Sequence, residues 1–448
     1  MSAGRATEQA PGVPPGLKVA FYGDDFTGAS DTLATCAQAG LRTLLFMGVP
    51  SAEQMAAAGP LDVLGIAGTT RSLAPPAMAA ELAPAARFFA TLGVPVTHYK
   101  ICSTFDSAPQ VGNIGAAVQV LLPQVESRFV PIVGGQPNLG RYCLFGNLFA
   151  SAGLGGAVHR IDRHPTMSRH PVTPMGEADL RAHLAKQGLD RIRSMPYPDY
   201  RQPPGTLEAQ VDAAIAAGTG SVLFDVASTD DLAPVGRAIW RRALQGRLLA
   251  IGPSSVEQAL AAYWNDGALA VRASTVAPAD GPVFVLSGSL SPVTAAQVGR
   301  AASYTRMALD AARMVRGDQA YLAETGVRVA AELASGRNVL AFTAPAEGAA
   351  PAEQSVDGLA LARSCGSLLK RVLAQARLKR AGVSGGDTSS HALKALDAWG
   401  IEYAGALSHG VALCRLRSRA AHLDGLEIIL KGGQMGPPDT FELLVHGT

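Results

Sequence analysis

Short runs of β-branched and aromatic residues alternate along the chain with alanine-rich stretches that are long enough to form helices. This alternation is typical of parallel sheets covered by helices, because each crossover between parallel strands needs a helix-length connection. The fold class we predict is therefore α/β, with mostly parallel sheets. The expected strands are 18–22, 43–46, 63–67, 96–100, 129–133 and 221–224 in the first half, and 283–286, 338–343, 380–384 and 427–430 in the second.

Composition and charge exclude several classes of protein. The chain has 448 residues, of which 48% are hydrophobic and 17% charged, so it carries enough apolar material to bury a large core. Its 38 Lys and Arg nearly balance its 36 Asp and Glu, which argues against a nucleic-acid partner that would need a basic face. No apolar run approaches the roughly 18–20 residues that span a bilayer, so we expect no membrane association.

The chain is long enough for about two or three domains. Residues 1–16 are rich in Ala, Gly and Pro and lack a secretory pattern, so they predict a disordered leader. Residues 272–282 contain two prolines and one glycine without apolar periodicity, which predicts a linker between a domain at 17–271 and a domain at 283–448. Three prolines within 160–175 predict a long loop or lid.

Five scattered cysteines, none in a Cys-x-x-Cys pair, indicate neither a disulfide framework nor a zinc site. A reducing, cytoplasmic location fits this pattern best. The His-Pro pairs of the 160–175 loop predict packing and turns rather than a metal site. Cys102 is predicted to fill space, because the sequence indicates no histidine paired with it.

Two adjacent carboxylates, Asp24 and Asp25, directly follow the first predicted strand and open a helix. Ligands of open α/β sheets bind at the carboxyl ends of strands. Neighbouring carboxylates repel each other, so packing alone gives little reason for such a pair. A pair that holds hydroxyls, a cation or a proton in transfer has a functional reason to stand there. The alternative is that one carboxylate caps the helix and the other faces water. We predict a functional pair.

A second polar group follows the strand at 96–100. Lys100 stands beside Ser103 and Thr104, and Asn113 lies in a glycine-rich helix start. A lysine next to hydroxyls and a helix start suits an anionic group such as a carboxylate, although Ser, Thr and Gly are also ordinary loop residues.

Three glycine-containing segments, which we call the glycine clusters, lie at the ends of strands in the second half, at 286–294, 383–389 and 431–436. Glycines allow tight turns that aim backbone N–H groups at phosphate oxygens, and a helix N-terminus adds positive potential. Each cluster alone could be a turn, but three in one domain favour a nucleotide-phosphate site. The chain contains neither a P-loop motif nor Gly-x-Gly-x-x-Gly after the opening strand.

A competing motif, Gly-x-Ser-x-Gly at 382–386, would make Ser384 the nucleophile of a serine hydrolase. Asp439 and His446 follow it in the order that such enzymes use. However, only 448 − 384 = 64 residues remain after Ser384 to complete that fold, and there is no His-Gly-Gly-Gly motif. We keep the hydrolase as an alternative.

Taken together, these motifs resemble the four-carbon acid sugar kinase family, which contains 3-oxo-tetronate, D-threonate and D-erythronate 4-kinases. The resemblance covers nearly the whole chain, and the order and spacing of the motifs make it specific. The matching blocks are Asp-Asp-Phe-Thr-Gly-Ala at 24–29, Lys100 with Ser103-Thr104 and Gly112-Asn113-x-Gly115, Gly-Gly-Asp-Thr-Ser at 385–389, and Lys431-Gly432-Gly433 with Gly436.

The resemblance implies two Rossmann-like domains, an N-terminal one for the sugar acid and a C-terminal one for ATP, with the active site in the cleft between them. Mg²⁺ would accompany ATP, and a homo-oligomer is possible. The residues expected to hold ATP are Ser287, Ser289, Gly385, Gly386, Asp387, Thr388, Gly432 and Gly433. Asp25 or Asp24 would orient or deprotonate the attacking hydroxyl, and Lys100 and Arg71 would hold the substrate carboxylate.

The chain departs from the family pattern at one point. An Arg usually stands between the Ser-Thr and Gly-Asn elements, whereas here residues 106–111 follow Phe105 with five extra residues and no Arg. That Arg would be a natural fork for a carboxylate. We expect Arg163 or Arg169, from the proline-rich loop, to replace it. We therefore predict a sugar-acid kinase and leave the exact acid open. A non-catalytic sugar-acid-binding protein remains a second alternative beside the hydrolase.

Overall fold

The computed structural model describes residues 12–153, 155–203, 205–265, 275–343, 357–408 and 410–448, without the side chain of Asp387. Most of the predicted leader (1–11) and the first part of the predicted linker (272–274) lie outside the described residues. The chain divides into two compact units. The first unit is Met1–Thr43 with Ser51–Arg272, and the second is Leu44–Pro50 with Ala273–Thr448.

The first part of the chain alternates strands and helices. Its strands are β1 (Val19–Gly23), β2 (Thr43–Phe46), β3 (Val63–Ala67), β4 (Val96–Lys100), β5 (Val130–Gly134), β6 (Arg141–Leu144), β7 (Asn147–Ser151), β8 (Val158–Arg160), β9 (Ile192–Met195), β10 (Ser221–Asp225) and β11 (Leu248–Gly252). Its helices are α1 (Phe26–Gln38), α2 (Ala52–Ala58), α3 (Pro75–Leu92), α4 (Ile114–Val125), α5 (Leu180–Ala185), α6 (Thr206–Ala216), α7 (Leu232–Ala243) and α8 (Ser255–Trp264).

The main sheet of the first unit is parallel, with the order β3-β1-β4-β11-β5-β10-β9. Its central strands β1, β4 and β11 are buried along their whole length, as expected for a sheet that helices cover on both faces. In register, Gly23 of β1 lies beside Lys100 of β4, and Lys100 lies beside Gly252 of β11. The loops after these three strands therefore meet at one edge.

A small antiparallel sheet, β6-β7-β8, belongs to the same unit. The turn between β6 and β7 is hydrogen-bonded to the main sheet. The buried carboxylate of Asp225, at the end of β10, accepts a hydrogen bond of 3.0 Å from the backbone N–H of Gly146 in this turn. Burial raises the pKa of Asp225 above its ordinary value, while this hydrogen bond opposes the shift.

The second unit has the strands β12 (Val283–Ser287), β13 (Tyr304–Ala308), β14 (Asn338–Phe342), β15 (Arg380–Ser384), β16 (Ala398–Ser408), β17 (Val411–Ser418) and β18 (Glu427–Lys431). Its helices are α9 (Pro292–Arg300), α10 (Ala311–Val315), α11 (Gln319–Ala334), α12 (Gly358–Gln375), α13 (Gly386–Ala395) and α14 (Thr440–His446).

The sheet of the second unit has the order β13-β14-β12-β15-β18-β17-β16. The first five strands are parallel, whereas β17 and β16 run antiparallel to their neighbours. Leu44–Phe46 of β2 also pairs antiparallel with β16, which explains why Leu44–Pro50 belongs to this unit although it lies far from it in sequence. The predicted first domain at 17–271 was contiguous and therefore contained Leu44–Pro50, which the structure groups with the second unit.

Apolar side chains from β12, β18 and α14 form one core of this unit. Val285, Ile429 and Phe441 are among its buried members. Burying such side chains contributes roughly 1.5–3 kcal/mol each, which fixes the central strands and therefore the loops at their ends. The α/β class with mostly parallel sheets is confirmed. Within the described ranges, we find no helix that combines the length and apolarity needed to cross a bilayer.

Candidate active site

Asp24 and Asp25 lie where β1 ends and α1 begins. The backbone N–H of Asp24 donates to the carbonyl of Lys100 at 2.9 Å, which extends the pairing of β1 with β4. Asp25 is the N-cap of α1, and its Oδ1 accepts a hydrogen bond of 2.8 Å from the N–H of Gly28. The capping function that the sequence left open therefore belongs to Asp25.

Arg71 bridges both carboxylates. Its Nε and Nη2 donate to Asp24 at 3.1 and 2.8 Å, and its Nη1 and Nη2 donate to Asp25 at 2.9 and 2.9 Å. The backbone N–H of Arg71 also donates to the carbonyl of Asp24 at 3.0 Å. A planar guanidinium suits this bidentate geometry. Four of its five N–H groups are used, so one remains available for a ligand.

The turn that carries Arg71 is held by Glu81 of α3. This carboxylate accepts hydrogen bonds from the N–H of Thr69 at 2.8 Å and from the hydroxyl of Tyr22 at 2.6 Å. Gly112 closes the turn from the other side, because a Cβ there would lie 2.7 Å from the carbonyl oxygen of Arg71, and its φ is +60°. Arg71 is therefore fixed from β1, α3 and the loop before α4.

Burial sets the electrostatics of this group. It raises the pKa of Asp24, with Arg71 opposing the shift and Asp25 adding to it. Burial would lower the pKa of Arg71, but the charge of Asp24 holds it above its ordinary value. The side chain of Asp24 is only 5% exposed, whereas that of Asp25 is 28% exposed. Asp25 is therefore the carboxylate that a substrate can reach.

Lys100 is buried beside this pair. Its Nζ donates to the carbonyl of Ile101 at 2.9 Å. A Cβ on Gly28 would lie 2.5 Å from this Nζ and 2.6 Å from Oδ1 of Asp25. Only a glycine at position 28 leaves room for both the ammonium of Lys100 and the carboxylate of Asp25 beside this turn. We call this group, Asp24, Asp25, Arg71 and Lys100, the acidic cluster. The structure brings the four residues together, and their contact with a substrate stays a prediction.

Ser103, Thr104 and Asn113 are buried in the loop that follows β4. The hydroxyl of Thr104 donates to Asp106 at 2.5 Å. Asn113 caps α4, because its amide oxygen accepts from the N–H of Ala116 at 2.7 Å while its amide group donates to the carbonyl of Pro109 at 3.0 Å. Both ends of Asn113 are therefore engaged within the loop, and its contact with a substrate stays a prediction.

Arg163 and Arg169 lie at the ends of two short 3-10 helices, Ile161–Arg163 and Met167–Arg169, in the proline-rich loop. Both side chains are exposed, and no hydrogen bond or ion pair joins either of them to the acidic cluster in the described parts of the chain. The structure therefore does not bring them together with Arg71 and Lys100. Their replacement of the missing Arg stays a prediction.

Sequence reasoning missed a polar group after β11. The hydroxyl of Ser254 donates to Asp31 of α1 at 2.5 Å and lies 2.9 Å from the hydroxyl of Thr32. Because Gly252 is in register with Lys100, this group lies at the same sheet edge as the acidic cluster. The signal was present, since a short apolar run at 248–251 precedes Gly-Pro-Ser-Ser at 252–255.

In the second unit, three central strands end in register. Ser287 of β12 lies beside Ser384 of β15, and Ser384 lies beside Lys431 of β18. All three residues are buried. The predicted glycine clusters therefore lie together at one edge of this sheet. Gly386 is the first residue of α13, and the carbonyl of Gly432 accepts a hydrogen bond of 3.2 Å from Lys431.

The glycines of these clusters pack against predicted site hydroxyls. A Cβ on Gly433 would lie 2.3 Å from Oγ of Ser289, and a Cβ on Gly385, whose φ is +123°, would lie 2.8 Å from Oγ1 of Thr388. Ser289 and Thr388 are buried. Close backbone approach and a helix N-terminus are what a phosphate-binding site requires. The predicted contact through the side chain of Asp387 lies outside the described residues.

Gly433 offers a test of this site. Gly433→Ala is expected to displace Ser289 and to weaken nucleotide binding about 10- to 100-fold, the equivalent of roughly 1.4–2.7 kcal/mol. Titration calorimetry with ADP measures it. Gly358→Ala is the matched control, since a Cβ at the start of α12 meets nothing within 4 Å. Equal affinities for the two variants would contradict the assignment.

The hydrolase alternative has no supporting geometry in the described residues. Ser384 is fully buried and accepts a hydrogen bond from Lys431. His446 lies instead within 3.3 Å of Glu442 and 3.0 Å of the hydroxyl of Ser303. Asp439 precedes α14 as its N-terminal flanking residue.

We expect a serine-directed phosphonate to leave Ser384 unlabelled, and mass spectrometry of the treated protein checks this.

Comparison with known proteins agrees with this division. The chain matches the family model described as a sugar-binding N-terminal domain over residues 19–260, and the one described as a nucleotide-binding C-terminal domain over residues 284–441. The fold is also found in a crystal structure of a Salmonella typhimurium LT2 protein, with a TM-score of 0.80, 24% sequence identity, and coverage of 95% of this chain and 98% of that one.

Two curated relatives match along nearly their whole length. A 3-oxo-isoapionate kinase of Paraburkholderia graminis is 36% identical, over 97% of this chain and 95% of the relative. A 3-oxo-tetronate kinase of Methylobacterium radiotolerans is 30% identical, over 95% of this chain and 98% of the relative. With the acidic cluster in one unit and the glycine clusters in the other, the chain belongs to the four-carbon acid sugar kinase family.

Proposed function

We propose that this protein transfers the terminal phosphoryl group of ATP to a hydroxyl of a 3-oxo sugar acid. The observation that carries the proposal is the 36% identity, over 97% of the chain, with a 3-oxo-isoapionate kinase. The names of this relative and of the 3-oxo-tetronate kinases share a ketone at carbon 3 and a carboxylate. We therefore choose 3-oxo-isoapionate as the first acid to test and 3-oxo-tetronate as the second.

The acceptor would bind at the acidic cluster. Lys100 and the remaining N–H of Arg71 suit the carboxylate of the acid. Asp25, as the more exposed carboxylate, would accept the proton of the attacking hydroxyl. The hydroxyl oxygen then forms a bond to the phosphorus while the bond from phosphorus to the departing oxygen of ADP breaks. Asp24, bound twice by Arg71, would hold this guanidinium in place.

ATP would bind at the glycine clusters of the second unit. We assign its phosphates to the backbone and hydroxyl groups of that sheet edge, namely Ser287, Ser289, Gly385, Gly386, Thr388, Gly432 and Gly433. The hydroxyl of Ser287 is buried without a hydrogen-bond partner in the described protein, which leaves it available to a ligand. Phosphoryl transfer depends mainly on positioning and charge neutralisation, which such a site provides.

Mg²⁺ would neutralise charge on the phosphates and help to orient them. The described residues contain no group of three His, Cys, Asp or Glu side chains that could hold a metal ion. Mg²⁺ usually keeps several waters and binds through substrate phosphates with only one or two carboxylates. The donor set therefore fits an ion that arrives with the nucleotide rather than a resident metal.

The experiment is a coupled assay of ADP release with Mg²⁺ and ATP over a panel of acids. The panel contains 3-oxo-isoapionate, 3-oxo-tetronate, D- and L-threonate, D-erythronate, and a few five- and six-carbon acids. We expect the highest kcat/KM with a 3-oxo acid. Turnover only with acids that lack the ketone would overturn the proposed substrate class, and no turnover together with no ATP binding would overturn the kinase.

A further inference from the structure

Lys431 opens the last of the sequence motifs, but it is a buried cation that the proposed phosphate contacts do not use. It is only 1% exposed at the carboxyl end of β18. Its Nζ donates to Oγ of Ser384 at 2.9 Å, to the carbonyl of Gly432 at 3.2 Å, and to Oγ1 of Thr294 at 3.5 Å. All three acceptors are neutral. The ammonium group therefore has hydrogen bonds but no countercharge among them.

The hydroxyls around Lys431 form a chain with a defined direction. The carbonyl of Gly433 can only accept, so we assign the single hydroxyl proton of Thr294 to it at 2.8 Å rather than to Oγ of Ser289 at 3.1 Å, which can itself donate. Oγ1 of Thr294 must then accept the hydrogen bond from Ser384 at 3.3 Å, while Ser384 accepts from Lys431. The ammonium thus polarises a path that ends at the backbone of the Gly432–Gly433 turn.

No described charged group on the surrounding elements balances this ammonium. Arg380 and Glu427 pair with each other at the first residues of β15 and β18, whereas Lys431 is the last residue of β18. On α14, Glu442 pairs with His446 and Ser303, and only the ring of Phe441 lies near Nζ, at 5.9 Å. Arg300 on α9 and Lys394 on α13 are exposed, and His391 on α13 is half-buried. The side chain of Asp387, also on α13, lies outside the described residues. A buried charge without a partner is costly, so an anionic ligand at this sheet edge would stabilise the ammonium.

The same sheet edge carries the glycine clusters, and this connects the unpaired cation with the ligand. We propose that Lys431 is a positioning residue whose positive charge is balanced by the phosphates of the bound nucleotide, acting through Ser384, Thr294 and the Gly432–Gly433 turn. The inference rests on the proposed function, because it takes the nucleotide as the anion. It adds a cation to the backbone and hydroxyl groups assigned to the phosphates above.

Burial lowers the pKa of Lys431 to about 8, so the free protein loses this charge as the pH rises through about 8. An anion bound nearby favours the charged form and raises this pKa again. Nucleotide binding at pH 8 should therefore take up protons, by linkage up to about half a proton per nucleotide. Affinity should fall as the pH rises from 7.5 to 9, because protonating Lys431 becomes more costly.

The test is titration calorimetry of the full chain with Mg²⁺ and ADP at pH 8, in two buffers of different protonation enthalpy. We expect the wild type to take up protons, and Lys431→Met to bind ADP about tenfold more weakly or worse without that uptake. Lys394→Met, which removes an exposed lysine from α13, is the matched control and should keep both properties. Methionine fills a similar buried volume, and circular dichroism confirms folding of each variant.

The possible outcomes separate the two proposals. Equal ADP affinity and equal proton uptake in the wild type and Lys431→Met would overturn the function of Lys431 while leaving the nucleotide site intact. No ADP binding to the folded wild type would overturn the proposed function, and the inference with it. If Lys431→Met does not fold, the wild type decides alone, since absence of proton uptake at pH 8 contradicts the proposal and uptake supports it.

Discussion

Asp25→Asn is expected to lower kcat for phosphoryl transfer by about 10²- to 10⁴-fold, the usual contribution of a general base. Asp25 is the reachable carboxylate of the acidic cluster, whereas Asp24 is buried against Arg71. Asparagine is as good an N-cap as aspartate, so α1 should still begin at the same residue. Steady-state ADP release with the preferred acid measures the loss.

Nucleotide binding separates this catalytic effect from a general disturbance. ADP affinity of Asp25→Asn should stay within about twofold of the wild type, since the glycine clusters belong to the other unit. Asp190→Asn is the matched control, because the side chain of Asp190 is exposed and makes only a long ion pair of 4.0 Å with Arg191. An unchanged kcat in Asp25→Asn would remove Asp25 from the mechanism.

Gly28→Ala is expected to reduce kcat/KM about 100-fold or more, because a 1 Å displacement of aligned groups can cost that much. The new Cβ would lie 2.5 Å from Nζ of Lys100 and 2.6 Å from Oδ1 of Asp25, so both groups must move. Lys100 is a flexible side chain, and alanine favours a helix by about 1 kcal/mol over glycine. The free energy of unfolding should therefore change by only about 1 kcal/mol.

Urea unfolding and ADP release on the same preparation test this separation. Ser30→Ala, in the same turn of α1, is the control, because its hydroxyl donates only to the carbonyl of Thr27. We expect Ser30→Ala to keep wild-type kcat/KM. If Gly28→Ala also kept it, the placement of Lys100 and Asp25 around position 28 would not matter for the reaction.

The sequence predicted the strand ends well, because a strand that is buried on both faces is a short apolar run with polar residues directly after it. β3, β4 and β15 have the predicted bounds, and β1 differs by one residue at each end. Placement of Asp24, Asp25 and Lys100 at one sheet edge followed from those ends. The glycine clusters of the second unit followed in the same way from β12, β15 and β18.

Strand β11 was missed although it carries Gly252 and Ser254 to the same edge. Its five residues, Leu248–Gly252, are all buried and lack alternation, and a short apolar run cannot be told from a buried helix segment by periodicity. The antiparallel pair β16 and β17 was missed for a different reason. Its bulges shift the register, which interrupts the period of two that reveals a strand.

Pairing between distant residues could not be predicted from spacing. Arg71 lies 46 positions from Asp25 in sequence, and only the parallel register of β1 and β3 brings its turn against both carboxylates. Arg71 was expected to hold the substrate carboxylate, whereas four of its hydrogen bonds serve Asp24 and Asp25. The sequence motif contains Lys431, but only the assembled strands show that its three hydrogen-bond acceptors are neutral.

The phosphorus NMR spectrum of a reaction that contains the protein, Mg²⁺, ATP and 3-oxo-isoapionate tests the proposed kinase most directly, with 3-oxo-tetronate in a parallel sample. We predict a new phosphomonoester signal that grows in step with ADP and is absent without the acid. Conversion of ATP to ADP and inorganic phosphate alone, or an unchanged ATP spectrum with both acids, would contradict phosphoryl transfer to a 3-oxo sugar acid.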